Sequence, residues 1–450
     1  MKDLTTGKEG RLIFYFAIPM LIGNVFQQMY HIIDSVIVGH YIGKEALAAV
    51  GASFPIIFTL ISLIIGIASG STVIIAQYFG AKDINHVKRT IDTLFIFLLI
   101  ASITVTIIGI SLSKRIFILL ALPPELIPQA TTFLNIILVG LVAMFGYNGT
   151  SAILRGMGDS KTPLYFLIIA TVMNILLDLL FILVFKWGVG GAALATVISQ
   201  VFTFVAVIIY INKYHKIIRF SLFKLTFDWD IFLKSLKIGL PTGLQQTFVA
   251  LGMLALTRIV NSFGTDVIAA YSVVGRIDSM ASMPAMNFAM ALSAFVGQNI
   301  GAQKSERVHR GLVVTLQMSS IIAVSMSLVA IFFGHSLMHM FTNDTNVIHI
   351  GQQYLAIVGS FYLAFNAMFI IGGVMRGAGD TLIPMFFSLF SLWIIRIPLA
   401  YFMSKHFGVV GIWWAIPVAW CIGVCTTTLY YRTGRWKKKA IIKQHVETIE

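Results

Sequence analysis

The chain has 450 residues, of which 58% are hydrophobic and only 11% charged, where an ordinary soluble domain carries roughly 25% charged residues. That balance excludes a soluble enzyme, a disordered chain and a nucleic-acid binder. The formal charge of +14 then belongs to basic loops between apolar runs.

A membrane span needs about 20 mostly apolar residues. At that window twelve spans are predicted. They cover 12–39, 53–78, 91–112, 129–153, 163–185 and 191–211, then 233–261, 272–299, 311–334, 349–374, 383–404 and 409–431. The first run is too long for a signal-peptide core and no small-residue cleavage site follows it, so it reads as a true helix. Cys421 and Cys425 lie four apart in the last run and read as core thiols on one helix face, not as a disulfide framework. With a cytoplasmic N-terminus, 24 of the 32 Lys and Arg fall in cytoplasmic segments, Lys213, Lys216, Arg219 and Lys224 of the central loop among them. The outer loops hold Lys44, Lys114, Arg115, Lys186 and Lys405, and Arg258, Arg276 and Arg396 fall within spans. The asymmetry places both termini in the cytoplasm. The run Arg435-Trp436-Lys437-Lys438-Lys439 fits an anchor on the anionic face of the bilayer.

The two halves match at a shift of about 221 residues. Gln77, Gly80 and Ala81 answer to Gln298, Gly301 and Ala302, and Gly43, Ala48 and Ala49 to Gly264, Ala269 and Ala270. Leu154-Arg155-Gly156-Met157-Gly158-Asp159 answers to Met375-Arg376-Gly377-Ala378-Gly379-Asp380, Pro163 to Pro384, and Gly188 and Gly191 to Gly408 and Gly411 with one residue less. The expected fold is an all-α integral membrane protein. Its twelve transmembrane helices form two pseudo-symmetric six-helix bundles around a central cleft. The N-terminal lobe covers 1–211, a cytoplasmic linker 212–232, the C-terminal lobe 233–431 and a basic tail 432–450. Two parallel repeats rocking about a cleft give alternating access. No phosphate-loop motif is present, so the energy would come from an ion gradient. In each Arg-Gly-x-Gly-Asp turn, Arg and Asp are expected to close a helix hairpin by a charge-assisted hydrogen bond.

Three acids sit well inside spans, Asp34, Asp178 and Asp278, and an intramembrane carboxylate is a functional hypothesis by default. Gln27, Tyr30, His31 and Asp34 share one helix face by their spacing, as do Asn174 and Asp178. The fourth span adds Tyr147 and Asn148. Asp34 and Asp178 have no acidic counterpart at the repeat shift, which points to an ion site confined to the N-terminal half. Two acids there can load and release a proton, and with Asn174 oxygens they can instead hold Na+. Residue types leave both ions open. Asp278 is expected to form an ion pair with Arg258 or Arg396, or else to touch substrate. Gln245, Gln246, Asn287 and Asn366 are candidates to line the C-terminal side of the cleft. Met280, Met283, Met286 and Met290 form a helical stripe that suits either packing or a multi-substrate surface.

These features together resemble the multidrug and toxic compound extrusion (MATE) family of cation-coupled antiporters. The resemblance rests on the two repeats, the run Ile18-Pro19-Met20-Leu21-Ile22-Gly23-Asn24, Asp34-Ser35 with Val38-Gly39, the run Gln77 to Lys82 with its partner Gln298 to Ala302, and the paired Arg-Gly-x-Gly-Asp turns. Within the family the chain is similar to the prokaryotic DinF-type branch, in which a first-helix Asp and a fifth-helix Asn-x-x-x-Asp form the cation site. Those positions are Asp34, Asn174 and Asp178 here. Acids on the seventh and tenth helices of other branches are replaced by Gln245, Gln246 and Asn366. The resemblance implies export of amphipathic, often cationic compounds against H+ or Na+ across a bacterial or archaeal cytoplasmic membrane. It implies no cofactor beyond the coupling ion and no resident metal, with Na+ at Asp34, Asn174 and Asp178 as the exception. A monomer is enough for a two-lobe cleft. A flippase for lipid-linked oligosaccharides, from the same superfamily, is the alternative. A channel and an intramembrane enzyme fit less well, since no nucleophile–base or metal-ligand set lies at membrane depth.

Overall fold

The computed structural model describes residues 2–120, 122–215 and 225–442. Lys216, Arg219 and Lys224 of the expected linker and 443–450 of the expected tail lie outside the described residues. The first half runs α1 (Glu9–Tyr41), α2 (Lys44–Gly80), α3 (Ile84–Leu119), α4 (Ile127–Val139), α5 (Leu141–Gly156), α6 (Lys161–Leu179) and α7 (Gly188–Tyr214). The second runs α8 (Trp229–Asn261), α9 (Thr265–Gly301), α10 (Ser305–Phe332), α11 (Gly334–His339), α12 (Thr345–Gly359), α13 (Tyr362–Gly377), α14 (Leu382–Leu389) and α15 (Ile397–Arg432). π-helical segments, Leu180–Val184 and Phe390–Arg396, extend α6 and α14. No strand occurs among the described residues.

Among the described residues, nine helical runs are long and apolar enough to cross a membrane by themselves. Two more spans are the bent pairs α4–α5, at 50°, and α12–α13, at 47°. One of the nine, Leu382–Arg432, has 51 residues, about 75 Å of helix against a hydrocarbon core of about 30 Å. It breaks at Gly408, whose φ of 59° and ψ of −146° are not helical. Counted as two, it brings the total to the expected twelve.

The repeat is written in the backbone as well as in the residues. The positive φ angles pair off as Gly43 (117°) with Gly264 (95°), Lys82 (61°) with Gln303 (58°), Gly158 (82°) with Gly379 (91°), and Gly188 (58°) with Gly408 (59°). The Gln-x-x-Gly-Ala motifs are helix ends. Asp83 N–H donates to Tyr78 O at 3.0 Å and Lys304 N–H to Asn299 O at 2.8 Å, which closes α2 and α9 with the left-handed turn common at helix C-termini.

The chain divides into two compact units. One comprises Pro19–Gly243, and the other comprises Asp3–Ile18 with the chain from Leu244 onward. The helices α1 and α8 therefore each begin in one unit and continue in the other, where the sequence places its lobe boundaries at 211 and 233. The cause is a strap ahead of each helix. In the second unit Leu4 N–H donates to Gln298 Oε1 (2.9 Å), Asn299 Nδ2 donates to Leu4 O (3.2 Å), and Arg307 pairs with Glu9 at 2.9 Å. In the first unit Asp228 N–H donates to Thr93 Oγ1 (3.0 Å), and Arg89 lies 3.6 Å from the Asp228 carboxylate. The start of α8 then meets α2 through two glycine pairs of i, i+4 spacing. A Cβ on Gly66 would lie 2.4 Å from Gly243 N, and one on Gly70 would lie 2.5 Å from Ser235 O. Such small-residue crossings let helix backbones touch where no hydrophobic effect drives them together.

Two expectations need correction. Arg376 does not reach the acid of its turn: it donates along its own helix to Phe369 O at 3.3 Å, while Asp380 accepts from Tyr430 Oη at 2.6 Å. The arginine stands one turn back on the preceding helix, so its side chain runs back along that helix. Asp159 serves as the N-terminal cap of α6, accepting from Lys161 N and Thr162 N. The two cysteines are not core residues. Cys421 is half-buried and Cys425 exposed, because their shared face of α15 points away from the packed side.

Candidate functional site

Helices α1, α6 and α7 build a polar site inside the first unit. Asp34 of α1 and Asp178 of α6 bring their carboxyl groups within interaction range of each other. Asn174, one turn before Asp178, is buried with it. With its amide set to satisfy both ends, Asn174 donates from Nδ2 to Asp178 Oδ2 at 2.9 Å and accepts from Thr196 N–H at 3.1 Å. Thr196, on α7, also shares a hydrogen bond of 3.1 Å with Tyr30 Oη. Oδ1 of Asp34 and Oδ1 of Asp178 are buried and face no donor among the described residues. Two carboxyl groups share a hydrogen bond only when one carries a proton, and two ionised ones are both acceptors.

Apolar neighbours fix this geometry. Ile37, Val38, Phe133, Ile137, Ile182, Val189, Ala192 and Ala193 form a buried cluster, with Ile33, Ile175, Leu179 and Val197 packed against it. The cluster thus takes residues from the turns on either side of both acids. It holds α1 against α6 and α7. The π-helical segment starts two residues after Asp178; such segments recur at functional sites.

The other predicted residues are placed separately. His31 packs its ring on Tyr30 and Phe54 at centroid distances of 4.9 and 5.8 Å, and Gln27 is exposed on α1. Tyr147 is buried and donates to Pro163 O at 2.9 Å, and Asn148 donates to Met144 O at 2.8 Å. Both hydrogen bonds go to backbone carbonyls, one in the first turn of α6 and one in the first turn of α5, and not to the acid pair. In the second unit Gln245 donates to Ser388 Oγ at 2.7 Å, and Gln246 is exposed. Asn287 and Asn366 are buried, donating to Met283 O at 2.9 Å and toward Ser320 Oγ at 3.5 Å. Along α9, Met283 is half-buried while Met280, Met286 and Met290 are exposed, so the stripe is a surface and not part of the core.

Asp278 forms no ion pair with Arg258 or Arg396. Its two oxygens accept instead from the hydroxyls of Tyr354 and Tyr362. Arg396 stays within electrostatic reach of it, with no ion pair between the two. Sequence reasoning missed Thr196, Tyr354 and Tyr362. Thr196 was the one polar residue in the run Ala192-Ala193-Leu194-Ala195-Thr196-Val197, which was the available signal.

The MatE family model matches residues 19–180 and again 241–402. The probable multidrug resistance protein YpnP of Bacillus subtilis (strain 168) is 35% identical over 435 residues, covering 97% of each chain. The probable multidrug resistance protein YoeA of the same organism is 32% identical over 442 residues, 96% of this chain and 95% of that one. Among solved structures, a multidrug resistance MATE family transporter of the MOP superfamily in an outward-facing conformation superposes with a TM-score of 0.90 at 23% identity, covering 97% of this chain and 99% of that one.

Proposed function

The chain belongs to the MatE family of membrane transporters, and from that premise we propose that it is a proton-coupled multidrug antiporter of the cytoplasmic membrane, with both termini in the cytoplasm. It exports amphipathic, often cationic compounds by alternating access, and Asp34, Asp178 and Asn174 carry the coupling. One arrangement supports the choice of ion: Asp34 and Asp178 face each other, and with the Asn174 amide assigned so that both its ends are satisfied, its NH2 turns to Asp178 and its oxygen to Thr196 N–H. A proton completes that arrangement, whereas Na+ would need the amide oxygen free to coordinate it. In the cycle, loading a proton lets the two carboxyls approach. Releasing it leaves two like charges facing each other inside a membrane span, which drives α1 and α6 apart. Substrate that binds the separated state better is thereby exchanged for the proton. The exposed methionine face of α9 suits varied apolar ligands.

The test is ethidium efflux from vesicles with the pH and Na+ gradients imposed separately. Efflux should follow the pH gradient alone, and Asp34→Asn should reduce it to the level of vesicles lacking the protein while leaving expression intact. Efflux that needs Na+ would overturn the choice of ion. Normal efflux in Asp34→Asn would refute coupling through the N-terminal acids.

A further inference from the structure

Asp278 is an acid inside a membrane span that the coupling site described above does not use. Its setting differs from that of a structural hydrogen bond in three ways. First, its two tyrosine partners come from the two arms of a broken span. Tyr354 stands on α12 and Tyr362 on α13, either side of the 47° bend. One carboxylate therefore ties both arms. Second, the fold does without this polar cluster elsewhere. At the repeat shift of about 221 residues, Asp278, Tyr354, Tyr362 and Arg396 answer to Ile57, Phe133, Leu141 and Ile175. The first unit makes the equivalent bend with those apolar residues, three of which belong to one apolar cluster. Third, the surroundings are electrically unfinished. Arg396 and Trp413 are buried, and Arg396 Nε and Trp413 Nε1 meet no acceptor among the described residues. Tyr271, stacked on Trp413 at 5.9 Å, completes the group. The titratable and charged groups facing Asp278 are thus Tyr271 of α9, Tyr354 of α12, Tyr362 of α13 and Arg396 at the end of the π-helical segment.

We propose that Asp278 is a second proton carrier, in the C-terminal unit, and that its negative charge fastens the bend of α12–α13. The donor set selects the ion: both carboxylate oxygens already accept hydroxyl protons, and the Arg396 guanidinium nearby repels a metal cation. A hydrogen bond to a carboxylate is roughly twice as strong as one between neutral groups. Proton uptake by Asp278 therefore weakens both tyrosine tethers at once and leaves Arg396 without its counter-charge. The bend is free to change while the proton is bound and is fastened again when it leaves.

The test uses the full purified chain in lipid nanodiscs. Infrared titration follows the protonated-carboxyl band, and spin labels on α12 and α13 follow the bend. In Asp34→Asn/Asp178→Asn, which lacks the N-terminal pair, one titrating carboxyl band should remain at this position and the label distance should change with it. Adding Asp278→Asn should remove the band and hold the distance at its acid-side value. Tyr362→Phe cuts one tether, keeps the acid, and should shift the midpoint without removing the band. A band indifferent to Asp278→Asn, or a label distance that ignores the titration, overturns the proposal. Its link to transport rests on the exporter reading above: with the N-terminal pair intact, Asp278→Asn should slow pH-driven efflux at least about tenfold. Absence of wild-type efflux under either gradient would sink the exporter reading, while the band and the bend would still decide whether Asp278 takes up a proton.

Discussion

A carboxylate buried in a membrane span must find inside the protein what water would have supplied. The two units meet that demand differently. Asp34 and Asp178 lean on each other with Asn174 as donor, and Asp278 takes two tyrosine hydroxyls. The methionines of α9 present the opposite case, apolar side chains exposed on a membrane helix. Met286 is 39% exposed, and Met283→Ala with Met286→Ala is expected to change the resistance profile across a panel of cationic dyes several-fold while leaving the ion dependence of efflux unaltered. An unchanged profile would reduce the stripe to packing. At this scale the acids were legible in the sequence because a charge in an apolar run stands out. Their partners were not. Tyr354 and Tyr362 lie 76 and 84 residues from Asp278, and nothing in local spacing announces a contact of that range. The same reach explains the expectation of an arginine partner, since charge complementarity was the available clue and hydroxyl donors satisfy a carboxylate equally well.

Helix lengths and hydropathy locate the spans well, and the breaks within them poorly. The bends at α4–α5 and α12–α13 carry no proline at the joint, and α15 runs on across Gly408. Close helix contact is easier to anticipate once small residues are read at i, i+4. On α13 a Cβ at Gly373 would come within 2.6 Å of Ala289 O, and one at Gly377 within 2.4 Å of Ser293 O, both on α9. A backbone carbonyl cannot yield as a side chain would. Gly377→Ala should therefore cost about 1–3 kcal/mol, seen as a lower midpoint in thermal unfolding of the detergent-solubilised protein. Gly275→Ala, also on α9 but with open space around it, is the control and should be neutral or slightly stabilising. Equal midpoints for the two variants would mean that the α9–α13 crossing is looser than its geometry implies.

For the whole molecule, the repeat was readable because glycines at left-handed turns recur at one shift, and the structure pairs their φ angles. The exchange of helix starts was not readable, because it depends on where the straps dock and not on where apolar runs begin. That exchange has a consequence for how the chain can be assembled from parts. A gene cut between 215 and 225 yields two polypeptides, and neither owns a whole compact unit: the first carries Asp3–Ile18 of its partner's unit, and the second carries the stretch up to Gly243 that completes the first. Each piece is a template for the other, in the manner of a swapped dimer closed within one chain. The two polypeptides expressed together are expected to co-purify through a single affinity tag and to restore dye efflux, while either alone should be degraded. Fragments that fold stably in isolation would show that the exchanged segments are ornaments on self-sufficient halves. Recovery only on co-expression would mean that the ancestral single repeat could not have stood alone as a monomer, and that pairing of two copies preceded their fusion.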